Sequence, residues 1–147
     1  MTAEADLWNV TRKNLAPYGM LVRIESPLTR LGIPDVSYCL LGNSGWLELK
    51  ALKAWPLRAT TPLRIAHLKL EQVLFLEGWT RARGRADLLL KVDRTYLVLT
   101  PELVRTVYDR QATRETLEKR ATAIGVGAFP TVAVLKALGV GIKINAG

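Results

Sequence analysis

The segment from residue 32 to residue 53, GIPDVSYCLLGNSGWLELKALK, decides the fold prediction. Two short apolar and aromatic runs, VSYCLL and WLELKAL, flank the sequence GNSG at 42–45, whose residues tolerate unusual backbone angles. This pattern predicts a β-hairpin. Three charged residues stand out in it, Asp35, Glu48 and Lys50, and the alternation of side chains along a strand predicts that they share one face.

The register of this hairpin depends on where its turn lies. A turn centred on Asn43 and Ser44 pairs Glu48 with Cys39, Lys50 with Ser37 and Leu52 with Asp35. Asp35 would then lie roughly 13 Å from the level of Glu48, at about 3.3 Å per residue. Because that distance is too long for a shared metal ion, we predict a bend or bulge near Asp35. Pro34, which has no N–H for a ladder, suits such a break.

The rest of the first hundred residues alternates between helical and strand periodicity. Thr2 is a candidate N-cap, and Pro17 and Gly19 end the helix that it begins. In chain order we predict a helix over 3–15, a strand over 20–26, the hairpin, a surface connection after residue 52, a helix over 69–81, and strands over 86–92 and 95–99. The order is helix, three strands, helix, strand.

The last third of the chain is predicted to be helical. Thr100 and Pro101 form a good helix start for a segment that runs to Asp109. A polar helix over 113–123 and a short apolar helix over 131–138 follow. The apolar side chains of this last helix either close the core or form a subunit contact: Val132, Val134, Leu135 and Leu138. We therefore expect one domain, with residues 1–100 as its core and residues 101–147 as a helical C-terminal extension.

Composition indicates a polyanionic partner. The 147 residues include 21 Lys and Arg against 13 Asp and Glu, which gives a net charge of +8 and a pI of about 10.0. Such a balance favours nucleic acid, with simple solubility as the alternative. The only cysteine, Cys39, excludes an intramolecular disulfide and is expected to be a small buried thiol, and the only histidine, His67, is expected to be structural. We see no signal peptide or apolar span, so we expect a soluble cytoplasmic protein.

The hairpin motif, Pro-Asp followed by Glu-Leu-Lys after a glycine turn, resembles the PD-(D/E)XK nuclease superfamily. Within it, RIESPLTRLGIPDV followed by GWLELKA most resembles archaeal-type and phage Holliday junction resolvases, with the VRR nuclease group as a near neighbour. The resemblance covers roughly residues 1–100. It implies an α/β fold with a restriction-endonuclease-like core, α-β-β-β-α-β, in which a mixed central sheet is flanked by helices. The order derived above from periodicity agrees with that core.

The resemblance also implies a metal site and its chemistry. Carboxylates of Asp35 and Glu48 and the backbone carbonyl of Leu49 would hold Mg²⁺, with Mn²⁺ able to substitute. Mg²⁺ prefers hard oxygen ligands and keeps several waters, and in phosphodiester hydrolysis it neutralises phosphate charge. Lys50 would orient the attacking water and counter the charge that develops in the transition state.

Further site residues follow from the same resemblance. Family members carry another acidic residue upstream, for which both Glu4 and Glu25 are candidates. Gln72 matches a glutamine on the helix after the Glu-x-Lys strand. The chain departs from the VRR pattern just before this helix, where Leu68 and Lys69 stand in place of a Thr or Ser cap.

The function predicted from these residues is a structure-selective DNA endonuclease of the Holliday junction resolvase type, acting as a homodimer and encoded by a phage. Basic side chains near the motif are candidate DNA contacts: Arg30, Lys53, Arg58, Arg64, Arg83 and Arg85. The alternatives are a nuclease of the same fold acting on flaps, single strands or duplex DNA, and a non-catalytic nucleic-acid-binding protein. A plain surface hairpin with an exposed Glu-x-Lys pair is the competing structural interpretation.

Overall fold

The computed structural model describes residues 2–24 and 32–141. Six strands form one mixed sheet in the order β1-β2-β3-β4-β5-β6. The strands are β1 (Gly19–Arg23), β2 (Val36–Leu40), β3 (Asn43–Leu52), β4 (Ala86–Val92), β5 (Thr95–Leu99) and β6 (Ala123–Val126). The helices are α1 (Ala3–Leu15), α2 (Leu70–Arg81), α3 (Pro101–Tyr108), α4 (Arg114–Arg120) and α5 (Thr131–Ala137).

Helices cover both faces of the sheet. Strands β3 and β4 are parallel and are joined by the crossover through α2, whereas the other neighbouring strands are antiparallel. One apolar layer packs α2, α3 and α4 on the sheet, and a second packs α1 and α5 on the opposite face. This is the α/β architecture with a mixed, helix-flanked sheet that the sequence predicts, and its first six elements follow the predicted α-β-β-β-α-β order.

The hairpin turn lies two residues earlier than predicted. Leu40 pairs with Asn43 and Cys39 with Ser44, so the turn centre is Leu41-Gly42 rather than Asn43-Ser44. Both central residues have positive φ, 47° and 83°, which is the condition for the type I′ turn that matches strand twist. The predicted pairing of Glu48 with Cys39 is therefore wrong. Since the shift in register is even, the predicted face of each residue is unchanged.

The other elements of the first hundred residues begin and end close to their predicted bounds. Thr2 caps α1, accepting a hydrogen bond from the Ala5 N–H at 3.1 Å. Thr100 likewise caps α3, whose first residue is Pro101. Strand β1 ends at Arg23, so the predicted strand is too long at Ile24, and its last two predicted residues, 25 and 26, lie outside those that the structure describes.

The C-terminal extension differs from the prediction in one element. The predicted helix over 113–123 ends at Arg120, and Ala123 begins β6, which extends the sheet next to β5. Helix α5 closes the core, because Val134, Leu135 and Leu138 are fully buried. Within residues 2–24 and 32–141, no helix is both long and apolar enough to cross a membrane.

Candidate active site

Five of the six predicted catalytic residues line one cavity where β3 runs on past the start of β2. The cavity has a volume of about 590 Å³ and is lined by Thr2, Ala3, Glu4, Asp35, Glu48, Lys50, Ala51, His67, Lys69 and Gln72. Three secondary-structure elements supply most of these residues, and the others lie in the segments just before an element, as Asp35 does before β2 and His67 before α2. The first turn of α1 and the first turn of α2 approach from opposite faces of the sheet, and the second half of β3 forms the floor.

The hairpin register brings Asp35 and Glu48 together. The last regular pair of β2 and β3 is Val36 with Leu47, so the next positions, Asp35 and Glu48, face each other. Residues opposite each other on one face have Cβ atoms about 5 Å apart. The backbone bends at Asp35, but a bulge is not required, because the gap of about 13 Å came from the incorrect register.

The Asp35 side chain acts in place of a backbone acceptor at the end of the β2–β3 ladder. Its Oδ2 accepts a hydrogen bond from the Leu49 N–H at 3.0 Å, and its own carbonyl accepts one from the Ile24 N–H at 2.7 Å. In a strand, the N–H and C=O of one residue point to the same side. The Leu49 carbonyl is therefore directed to the Asp35 side of β3, where the predicted metal ligand set requires it.

Glu48 is a buried carboxylate whose charge is only partly compensated. It is 2% exposed, and its Oε1 accepts a hydrogen bond from Gln72 Nε2 at 3.2 Å and lies 3.7 Å from Lys50 Nζ. Its Oε2 is buried with no hydrogen-bond partner. A cation at this oxygen would supply the missing interaction.

Burial and a neighbouring acid raise the pKa of Glu48. Desolvation is the largest cause, the negative charge of Asp35 and a hydrogen bond with Asp35 follow, and Glu4 adds a smaller effect in the same direction. Lys50 lowers the pKa but does not offset these effects. The hydrogen bond forms only when one of the two carboxyl groups carries a proton, since two carboxylates are both acceptors. One positive charge between the two carboxyl groups, either a proton or a metal ion, is thus what the geometry favours.

Lys50 and Gln72 are held in fixed positions around Glu48. The Lys50 side chain is buried, and its Nζ donates to the His67 carbonyl at 3.0 Å. Gln72 accepts a hydrogen bond from the Lys69 N–H at 3.0 Å, which satisfies a free donor at the start of α2 and orients its amide towards Glu48. The side chain of Gln72 therefore couples the helix start to the carboxylate.

Of the two candidates for the upstream acid, the structure places Glu4 at the cavity. It lies in the first turn of α1, and its charge affects the pKa of Glu48. Glu25 and the candidate DNA contact Arg30 lie outside the described residues. Two residues of the cavity were not predicted from the sequence. Lys69 lines the cavity. The His67 carbonyl positions Lys50, although the His67 side chain is exposed. A backbone acceptor leaves no signal in a sequence.

The carboxylates fit a divalent ion that is completed by water and substrate. No set of three His, Cys, Asp or Glu side chains among residues 2–24 and 32–141 is placed to hold a metal ion alone. Mg²⁺ sites at phosphates commonly use one or two carboxylates, with waters and phosphate oxygens filling the remaining positions. Asp35, Glu48 and the Leu49 carbonyl fit this class, and the unpartnered Oε2 is the observation that favours it.

The surroundings of the candidate DNA contacts fit the prediction for four residues and differ from it for Arg85. Lys53, Arg58, Arg64 and Arg83 are exposed, as DNA contacts require. Arg85 donates to the Ala137 carbonyl at 2.9 Å, so it holds α5 in place. The prediction of a buried Cys39 is wrong, because this residue is exposed. Trp46 packs edge-to-face on Phe75 and Trp79.

Comparison with known proteins supports the architecture. No protein-family model and no curated protein sequence matches this chain. Among solved structures, the chain is similar to Archaeoglobus fulgidus Hjc, a Holliday junction resolvase from an archaeal hyperthermophile, with a TM-score of 0.57 and 13% sequence identity. The match covers 97% of this chain and 100% of that chain. The predicted fold class is confirmed: this chain shares with that resolvase the restriction-endonuclease-like α/β fold, a mixed sheet flanked by helices.

Proposed function

We propose that this protein is a Mg²⁺-dependent, structure-selective DNA endonuclease that hydrolyses phosphodiester bonds at four-way junctions. The observation that carries the proposal is the placement of Asp35 opposite Glu48 in one cavity, with Lys50 beside them and Glu48 Oε2 buried without a partner. The shared fold with a Holliday junction resolvase makes a nuclease the first choice. The net charge of +8 suits a DNA substrate.

Each site residue has a role in this proposal. Asp35, Glu48 and the Leu49 carbonyl would hold the ion, which when bound would neutralise the phosphate charge and polarise the phosphate oxygens. Lys50, fixed by the His67 carbonyl, orients the water that attacks phosphorus. A new P–O bond forms to this water as the water releases a proton to solvent, the bond to the leaving oxygen breaks, and the leaving oxygen takes up a proton from solvent. Gln72 positions Glu48, and Glu4 adds a third carboxylate at the cavity edge.

The buried acid argues against a non-catalytic DNA-binding protein. A carboxylate that is buried beside another carboxylate destabilises the folded state. It also repels a phosphate backbone, so it weakens binding when no cation is present. Neither effect serves a protein that only binds DNA, whereas both are removed by the ion that hydrolysis needs.

The remaining parts of the proposal concern assembly and location. A four-way junction presents two symmetric strands, so an enzyme that cuts both is expected to act as a homodimer with one site in each copy. Sedimentation of the purified protein would test this, with a monomer at micromolar concentration as the contradicting result. DNA junctions arise during recombination, so we propose that the protein acts in the cytoplasm, and in the host cytoplasm if a phage encodes it.

A cleavage assay tests the enzymatic part. Purified protein is incubated with a labelled four-way junction and, separately, with linear duplex and flap DNA, in Mg²⁺, in Mn²⁺ and in EDTA. We expect paired nicks near the branch point in either metal and none in EDTA. Asp35→Asn should lower the rate by about 10²–10³-fold, the range for loss of one electrostatic group at a reaction centre. Asp93→Asn is the matched control, because Asp93 lies in the exposed turn between β4 and β5.

The outcomes separate the alternatives. Cleavage of flaps or duplex in preference to the junction would retain the nuclease and reject the resolvase. Binding of DNA without cleavage in either metal would favour the non-catalytic protein. If Asp35→Asn cleaves as fast as the wild type, the assigned site is wrong.

A further inference from the structure

A second cavity lies beside the candidate active site and is lined by two arginines. It has a volume of about 290 Å³ and lies between the connection that precedes α2 and the C-terminal end of α3. Arg64 and Arg110 line it, together with Ala66, Leu68 and Tyr108. Arg110 belongs to the C-terminal extension, to which the proposed function assigns no role.

Both arginines are available to an external anion. Their side chains are exposed, and in the part of the chain that the structure describes no carboxylate lies within 4.0 Å of either. Most other arginines of the C-terminal helices are already paired, as in the bonds of Arg105 with Glu77, Arg114 with Glu118 and Arg120 with Glu102. The charge of this cavity is therefore uncompensated within the described chain.

The walls of the cavity are fixed by backbone bonds. The Leu63 N–H donates to the Ala112 carbonyl at 2.8 Å, which ties the connection to the segment after α3. Arg110 has a φ of 60°, and its N–H donates to the Val107 carbonyl at 3.0 Å. The nearby acid Asp109 lies 4.0 Å from Arg105, which reduces its repulsion of an anion. The two guanidinium groups thus extend from anchored backbone.

One segment of chain separates this cavity from the candidate active site. His67 and Lys69 line the catalytic cavity, whereas Ala66 and Leu68, which alternate with them, line the second. A segment of five residues, such as the one from Arg64 to Leu68, spans at most about 18 Å. At about 3.4 Å of axial rise per nucleotide, a DNA strand with its reacting phosphate at Glu48 places other phosphates within about five nucleotides of this cavity.

We propose that Arg64 and Arg110 form a phosphate clamp that binds the DNA backbone a few nucleotides from the reacting phosphate. The proposal rests on the proposed function for its ligand, DNA. Guanidinium groups bind phosphate through paired N–H donors. The clamp gives the C-terminal extension a part in positioning the substrate, because one arginine comes from each side of the cavity.

The test measures the salt dependence of junction binding. Binding of a labelled four-way junction is measured in EDTA, where no cleavage occurs, from 50 to 200 mM salt. Each phosphate contact contributes about 0.9 to the slope of log affinity against log salt. We expect Arg64→Gln/Arg110→Gln to lower the slope by about 1.8 for each protomer that contacts the junction. For each such protomer, the wild type then loses about twelvefold more affinity over this salt range than the variant does.

Two further variants keep the test specific. Arg114→Gln/Arg120→Gln removes the same net charge from paired, exposed arginines of α4 and should leave the slope unchanged. Arg64→Lys/Arg110→Lys keeps the charge and should restore most of the slope. Thermal unfolding confirms that the folds are equal, as expected for exposed side chains.

The clamp and the enzymatic proposal fail in different ways. Equal slopes for the two glutamine double variants, or a wild type that binds no DNA, would overturn the clamp. A wild type that shows the expected slope difference but cuts no DNA retains the clamp and rejects the nuclease.

Discussion

Replacing Glu48 by Gln should stabilise the metal-free protein while abolishing cleavage. Glu48→Gln keeps the shape of the side chain and mimics its protonated form, since the amide can donate to Asp35 as a protonated carboxyl does. The variant removes a buried group that must otherwise ionise or retain a proton at neutral pH. A residue retained for folding would show the opposite effect on stability.

The magnitude follows from the pKa of Glu48, which burial and the charge of Asp35 raise from 4.5 to about 9. An acid with a raised folded-state pKa binds its proton more tightly in the folded state than in the unfolded state. Its contribution to stability is full below pH 4.5 and is lost as the pH rises from there to about 9. At pH 7 this loss is about 3 kcal/mol. Glu48→Gln and the wild type should therefore be equally stable near pH 4.5 and differ by about 3 kcal/mol at pH 7.

The assay is urea unfolding in EDTA at several pH values between 4.5 and 8, followed by the same series in Mg²⁺. Glu71→Gln is the matched control, since Glu71 is an exposed carboxylate on the first turn of α2. Mg²⁺ at 100 times its dissociation constant should stabilise the wild type by about 2.7 kcal/mol. It should have little effect on Glu48→Gln, which lacks one of the proposed ligands.

Two results would refute this reasoning. A wild type that is at least as stable as Glu48→Gln at pH 7 in EDTA would show that Glu48 is compensated without metal. Equal stabilisation of both proteins by Mg²⁺ would show that the ion binds elsewhere.

Three other substitutions test neighbouring parts of the structure. Gln72→Ala should lower the cleavage rate about 10–100-fold, the effect of losing a residue that orients a metal ligand; an unchanged rate in single-turnover assays would contradict this role. Leu41→Asn should raise the free energy of unfolding by about 1 kcal/mol, because Asn tolerates the positive φ of this position better than Leu; a lower free energy of unfolding, measured with urea, would contradict this. Asp87→Asn should stabilise the protein by about 3 kcal/mol at pH 7 but by well under about 1 kcal/mol at pH 4, because burial raises the pKa of Asp87 from 3.8 to about 6; a pH-independent difference would count against it.

Periodicity and capping residues were enough to predict most of the fold. A helix start needs a local hydrogen-bond acceptor, and Thr2 and Thr100 supply one in each case. The buried strands β4 and β5 are short apolar runs that follow turn residues. Such signals are local, so they are visible in one sequence. The order of elements followed from them.

The hairpin register could not be predicted because the turn uses an unfavourable residue. Leu41 adopts a positive φ, which costs about 1 kcal/mol for a residue with a Cβ, whereas Asn43 and Ser44 are usual turn residues. Tertiary packing decides instead. Strand β2 pairs on both sides, with β1 and β3, and its side chains Val36, Tyr38 and Leu40 are buried, so the register that fits the core overrides the preference of the turn.

Strand β6 and the contacts of the site depend on the folded chain. Residues 123–126 follow a charged helix and form a four-residue strand that exists because the edge of β5 is available for pairing. In the same way, the His67 carbonyl reaches Lys50 only because the connection folds back over β3. Neither the pairing of β6 with β5 nor the hydrogen bond from Lys50 to the His67 carbonyl can be predicted from residue types or their spacing.

A buried acid with a raised pKa does not identify a site by itself, and Asp87 shows why. Like Glu48, Asp87 is buried, has a carboxylate oxygen without a hydrogen-bond partner and has a pKa raised by desolvation. Its charged neighbour is Arg85, at 3.9 Å, which lowers the pKa and also holds the end of α5. Glu48 differs because a second carboxylate faces it and a cavity open to substrate adjoins it. Two repelling acids in an accessible cavity favour one added positive charge between them, whereas one acid beside an arginine does not. The convergence of Asp35 and Glu48, rather than burial alone, is therefore the observation on which the proposal of a metal-dependent nuclease rests.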